Sequence, residues 1–141
     1  MRCIIDSNRI ENAILQGAGT FTGFQLSGNS STGNIARLFF RDNVMQNFRR
    51  NGNPSTVTGV QANNWVDTVV ISRNTFDNIR AEVVTLSANT FNCIPIFTQN
   101  ITAGTNNYTE VSNNIISNIY VTGNTNGTSH QITSQFGGFG S

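Results

Sequence analysis

Seven carboxylates, eight arginines, one histidine and two cysteines are the side chains of this sequence best equipped to act on a substrate. Glycoside hydrolysis ordinarily needs two carboxyl groups flanking one bond, about 5 Å apart for a covalent intermediate or roughly 6.5–9.5 Å apart for direct attack by water. The acids Asp6, Glu11, Asp42, Asp67, Asp77, Glu82 and Glu110 include no adjacent pair. Glu11 and Asp77 occupy the same place in a repeated pattern, but two repeats apart with Gln46 between them. Two strand spacings put them about 9.6 Å apart, just beyond that range, so they read as solvated surface acids. His130 aligns with Phe24 and Val60 and is expected to pack or cap rather than act as a general base. No cluster has metal-ligand spacing, so no catalytic residue, metal or cofactor is expected.

Recognition has more to stand on. Arg49 and Arg80 fall at equivalent positions, two residues after a repeated asparagine, with Ile14 before them and Tyr120 after. Like charges on neighbouring strands repel unless something anionic joins them. With adjacent Arg50, these residues would suit a uronate or sulfated sugar, the guanidiniums gripping the anion and the tyrosine stacking. The competing reading is that Asp77 neutralises the arginines.

These groups are positioned by a repeat. The pattern Asn, any residue, large apolar, any residue, Asn recurs at Asn8 to Asn12, Asn43 to Asn47, Asn74 to Asn78 and Asn114 to Asn118, with steps of 35, 31 and 40 residues. Each copy follows a short β-branched or aromatic run, at 3–5, 38–40, 69–71 and 109–111. Alternation turns Cys3/Leu38/Val69/Thr109 and Ile5/Phe40/Ile71/Val111 to one face, and Ile10/Met45/Phe76/Ile116 inward after the turn. A second pattern, Thr20 to Leu26, recurs at Thr56 to Ala62 and fades at Asn126 to Ile132. Its remaining copy is expected at 82–86, with an insertion over 93–107. Such runs are too short and too rich in Val, Ile, Phe and Thr for paired helices. They predict an all-β, right-handed parallel β-helix of about four coils of roughly 35 residues. Residues 1–135 form the β-helix, and 136–141 a Gly-rich tail. The columns Asn8/Asn43/Asn74/Asn114 and Asn12/Asn47/Asn78/Asn118 are expected to be structural ladders, because Asn tolerates a left-handed bend and its amide can bond to the rungs above and below.

Only 11% of residues are charged, against ~25% in typical soluble domains, and the formal net charge is +1. No basic run marks a nucleic-acid or membrane surface, and no apolar run approaches a membrane span. Neither partner is expected. Cys3 and Cys93 are compatible with a disulfide, two buried thiols or one of each, and buried thiols are the expectation. Sequons at Asn29, Asn100, Asn107 and Asn126 point weakly to an extracellular or cell-surface setting.

The strand, Asn-turn, strand grammar resembles the pectin-lyase-like right-handed parallel β-helix superfamily over nearly the whole chain. That resemblance implies the fold shared by polysaccharide lyases, galacturonases, tailspikes, adhesins and some ice-binding proteins. It does not choose among them. The clustered aspartates with a Gly-His-Gly element, or the Ca²⁺-binding acids beside a basic residue, that its enzymes would carry do not occur here. The paired threonines Thr20/Thr22 and Thr56/Thr58 raise ice binding, but the pattern fails in later coils. Ile4, Phe39 and Val70 are expected to face outward as an apolar column, covered by a loop around 94–101 or by a flanking segment. No capping segment is legible at Met1 to Cys3, so the unit is expected to be one piece of a longer β-helix or a module that stacks end to end. The expected function is non-catalytic recognition of a carbohydrate or protein partner. The alternatives are a fragment of a carbohydrate-active lyase or hydrolase and a structural, self-assembling module.

Overall fold

Short β-branched runs broken repeatedly by Asn, Asp and Ser favour strands joined by corners. The computed structural model describes residues 2–17, 19–27, 36–52, 55–63, 66–82, 91–99, 108–122, 130–132 and 135–136. Its strands are β1 (Arg2–Asp6), β2 (Arg9–Glu11), β3 (Ile14–Gln16), β4 (Gly19–Ser27), β5 (Ala36–Arg41), β6 (Val44–Asn51) and β7 (Ser55–Asn63). They continue with β8 (Val66–Ser72), β9 (Thr75–Glu82), β10 (Phe91–Gln99), β11 (Tyr108–Ser112), β12 (Ile115–Thr122), β13 (His130–Ile132) and β14 (Gln135–Phe136).

The chain visits three parallel sheets in the same order on each pass, the topology of a parallel β-helix. The first sheet runs β1-β5-β8-β11, the second β2-β6-β9-β12 with β3 also on β6, and the third β4-β7-β10-β13 with β14 also on β10. In the first sheet Cys3 pairs with Leu38, Leu38 with Val69 and Val69 with Thr109, the register the asparagine spacing predicts. Leu38, Phe40, Met45, Phe48, Ile71, Phe76 and Ile79 are fully buried between the sheets. Phe21 packs on Phe48 and Phe24 on Phe40, with ring centroids 5.1 and 5.2 Å apart.

The third sheet departs from expectation. Glu82 ends β9 and residues 83–90 lie outside the described residues, so the missing copy is β10 instead. There Cys93 continues the Phe21/Val57 column and Ile96 continues Phe24/Val60. His130 pairs with Phe91, not with the Phe24/Val60 column, because Gln131 stands opposite Asn92 rather than in line with Gln25 and Gln61. A single shared glutamine was too weak an anchor for the register. Ile94 to Gln99 are likewise strand, and residues 100 and 101 lie outside the described residues, so no described loop covers Ile4, Phe39 and Val70. Phe39 is instead flanked by the guanidiniums of Arg2 and Arg41, 4.9 and 5.6 Å from its ring centre, while Ile4 is exposed.

Two corners turn the chain between the first and second sheets and within the second. Left-handed φ values of 52–58° occur at Ser7, Asp42, Arg73 and Asn113, and again at Asn12, Asn47, Asn78 and Asn118. The second asparagine column thus occupies the bend, as expected, but its ladder stops at Asn78, because Asn118 Nδ2 donates to Asp77 instead. The first column does not occupy the bend, since the residue before it bends and its amide does the bonding. Asn74 is fully buried, donates from Nδ2 to the Phe40 carbonyl and to Asn114 Oδ1 at 2.9 Å each, and accepts from the Asn43 N–H at 2.9 Å.

Ion pairs cross neighbouring coils at the same corner. Arg41 Nη2 lies 2.6 Å from Asp6, and Arg73 Nη2 lies 2.7 Å from Asp42. The Arg73 hydrogen bond holds the Asp42 carboxyl below its ordinary range, and hydrogen bonds from Ser117 and Asn118 do the same for Asp77. Depressed folded-state values mean that the unfolded chain takes up protons first as pH falls, so this stabilisation is present above the unfolded value near ~4 and is lost below it. The urea midpoint is expected to be level above about pH 5 and to fall below about pH 4. A midpoint unchanged down to pH 3 would contradict this.

Both cysteines are free. Cys93 is fully buried, and burial pushes its thiol up to about 12, while Cys3 is half-buried at the first edge. Of the Gly-rich tail expected at 136–141, Phe136 belongs to β14, paired with Thr98, and 137–141 lie outside the described residues.

Candidate binding groove

The left-handed residues Asn12, Asn47 and Asn78 interrupt strand alternation, and this decides which arginines reach the surface. Without the interruption Arg49 would follow Met45 inward. With it, Met45, Phe48 and Arg50 face the core and Arg49 faces out. Arg50 therefore does not join the expected binding set. It is buried, stacked in register between Leu15 and Ala81, and its Nη2 donates to the Gly17 carbonyl at 2.8 Å.

Arg49, Arg80 and Tyr120 do come together. Ile14, Arg49, Arg80 and Tyr120 pair in consecutive register on the outer side of the second sheet. Beside them runs the amide chain, Asn78 Nδ2 donating to Asn47 Oδ1 at 2.7 Å and Asn47 Nδ2 to Asn12 Oδ1 at 2.9 Å. Between these two columns lies a groove of about 260 Å³ lined by Asn12, Ile14, Asn47, Phe48, Arg49, Asn78 and Arg80.

The two guanidiniums are held differently. Arg49 is paired with Glu82, Nη2 to Oε2 at 2.6 Å, and its Nε also reaches Asn51 at 3.0 Å. Arg80 donates from Nε to Asn78 Oδ1 at 2.6 Å and lies 4.9 Å from the centre of the Tyr120 ring. Among the described residues Arg80 has no carboxylate partner. Asp77 is not the neutraliser, since it accepts from Ser117 Oγ and Asn118 Nδ2 at 2.7 Å each. Among the described residues, two guanidiniums against one carboxylate leave the groove one cation in excess. Glu82 was missed as the partner of Arg49 because it falls two positions after Arg80 on its own strand. Its link to Arg49 appears only when the coils are stacked.

Elsewhere the chemistry is spent. Glu11, Gln46 and Asp77 share one column, but Glu11 pairs with Arg9 and accepts from Gln46 Nε2 at 2.9 Å. A general acid needs its carboxyl raised, and Asp77 is lowered. Thr58 is buried, so the paired threonines present no flat exposed array. Among the described residues no group of His, Cys, Asp and Glu could hold a metal. The sequons at Asn29, Asn100, Asn107 and Asn126 lie outside them. No protein-family model matches this chain, and neither does any curated protein or solved structure.

Proposed function

We propose that this β-helix is a non-catalytic recognition module whose groove along Asn12/Asn47/Asn78 and Arg49/Arg80 takes an acidic saccharide, a uronate or a sulfated sugar. The observation that carries the reading is Arg80, a guanidinium already oriented by Asn78 and Tyr120 yet without an acid among the described residues. Such a group forms a charge-assisted bond to an incoming anion at little ordering cost. The amide chain offers donors and acceptors to hydroxyls, and half-exposed Tyr120 offers a ring face. The resemblance to the pectin-lyase-like superfamily, which includes polysaccharide lyases and galacturonases, agrees with this reading, and the sequons agree with an extracellular setting.

Retention on immobilised sulfated or uronic polysaccharide tests it, with new reducing or unsaturated ends followed in parallel. Arg80→Ala is expected to weaken retention about 10-fold or more, the loss of one charged hydrogen bond. Glu82→Gln is expected to strengthen it by releasing Arg49. Equal retention by wild type and Arg80→Ala, or accumulation of sugar ends, overturns the proposal.

A further inference from the structure

The ladder of asparagines has a direction. The Asn8 N–H donates to Asn43 Oδ1, that of Asn43 to Asn74 Oδ1, and that of Asn74 to Asn114 Oδ1. The backbone follows the opposite sense, Val44 N–H donating to the Asn8 carbonyl, Thr75 to Asn43 and Ile115 to Asn74. At the first edge, among the described residues, Asn8 Oδ1 receives no donor. At the last, among the described residues, the N–H and carbonyl of Asn114 have no rung beyond them. The two edges carry complementary halves of one interaction.

Apolar side chains are exposed at the same two edges. Ile116 is 43% exposed, although Met45 and Phe76, its column mates in the interior, are fully buried. Ile115 and Tyr108 are exposed beside it, and Ile4, Ile14 and Leu15 are exposed at the first edge. We propose that the chain stacks head to tail on a second copy of itself. The edge of β11 and β12 pairs in register with β1, β2 and β3 of the next copy, so that Asn114 meets Asn8.

In that register Ile116 lies over Ile10, Val111 over Ile5 and Tyr120 over Ile14, closing the open core seam. Tyr108 meets Arg2, which repeats the Arg80 and Tyr120 contact, and Ser117 meets Glu11 as it meets Asp77 within one chain. A symmetric pairing of two first edges would set Asn8 Oδ1 against Asn8 Oδ1, acceptor on acceptor. The contact is therefore heterologous and open-ended, and stacking extends from copy to copy. This inference does not depend on the saccharide reading, though stacked copies would lengthen the groove.

A native thiol makes the test direct. Thr109→Cys places a thiol in register with Cys3 of the next copy, about 4.8 Å away between Cα atoms and within disulfide range. Within one chain the same two positions are three coils apart, roughly 14 Å, and cannot bridge. Mild oxidation of the 141-residue chain carrying Thr109→Cys is expected to give a ladder of covalent oligomers whose linked peptides join positions 3 and 109. Light scattering of wild type should show mass rising with concentration past the dimer. Ile115→Lys, at an exposed position that sets a lysine against the next copy's Arg9, should weaken association on the order of 10-fold. A constant monomer mass, assembly that stops at a dimer, or bridges joining only like positions overturns the proposal.

Discussion

Replacing Asn74 with alanine is expected to lower folding stability by roughly 3–5 kcal/mol, with the urea midpoint falling and the slope unchanged. The size follows from what the side chain leaves behind. The Phe40 carbonyl loses its Nδ2 donor, the buried Asn43 N–H loses its acceptor, and Asn43 Nδ2 loses one of its two, keeping the Ile5 carbonyl. Each orphaned buried group costs about 1–3 kcal/mol, and all belong to one network, so their costs are not simply additive. Asn74→Asp is expected to be nearly as damaging, because a carboxylate turns an acceptor toward the Phe40 carbonyl. Asn8→Ala should cost only about 1 kcal/mol, since that residue is exposed and Asn43 Oδ1 keeps the Asn8 backbone donor. Equal losses at positions 8 and 74 would show that the ladder is not a graded series anchored in its buried middle.

Gly59→Ala is expected to be as severe for a different reason. A Cβ at Gly59 would sit 2.4 Å from the Pro95 carbonyl oxygen and 2.9 Å from Phe76 Cδ1. One obstacle is backbone and the other is a fully buried ring, so the coils themselves must move apart. Overpacking costs typically about 1–3 kcal/mol and more where nothing can yield, and about 3 kcal/mol or failure to fold is expected here. Gly23→Ala is the comparison, because its nearest obstacle is Met45 Cε, the end of a flexible side chain, and the backbone oxygen it meets, that of Gly59, stands farther off at 2.9 Å, although Phe48 is almost as close as Met45. A milder loss, measured by the same urea titration, is expected there. A neutral Gly59→Ala would mean the third sheet is not held this close to the second.

These two residues also show why one part of the fold was legible and another was not. The corner asparagines can be read from sequence because the rung needs one short side chain that donates and accepts at once, and asparagine alone supplies this with little strain. Spacings of 35, 31 and 40 residues therefore survive as hydrogen bonds. The third sheet imposes no comparable demand. Its columns accept Phe21, Val57 and Cys93 alike, and the position of Gly23 and Gly59 accepts Pro95 because pairing skips that height, so a missing N–H costs nothing. With no residue obliged to recur, β10 went unread and His130 was placed in the wrong column. Two adjacent arginines could not be told apart either. The left-handed bend at Asn47 decides that Arg49 meets solvent and Arg50 the core, and strict alternation gives the opposite answer.

The central functional claim is that an acidic saccharide lies between the asparagine chain and the arginine column. The most direct test is a titration of the ¹⁵N-labelled chain with a sulfated disaccharide, following the side-chain amides of Asn12, Asn47 and Asn78 and the Nε–H of Arg80. Saturable shifts are expected at these groups, with Asn8, Asn43 and Asn74 unmoved and the neutral disaccharide much weaker. Shifts confined to other surfaces, or equal responses to charged and neutral sugars, would contradict it.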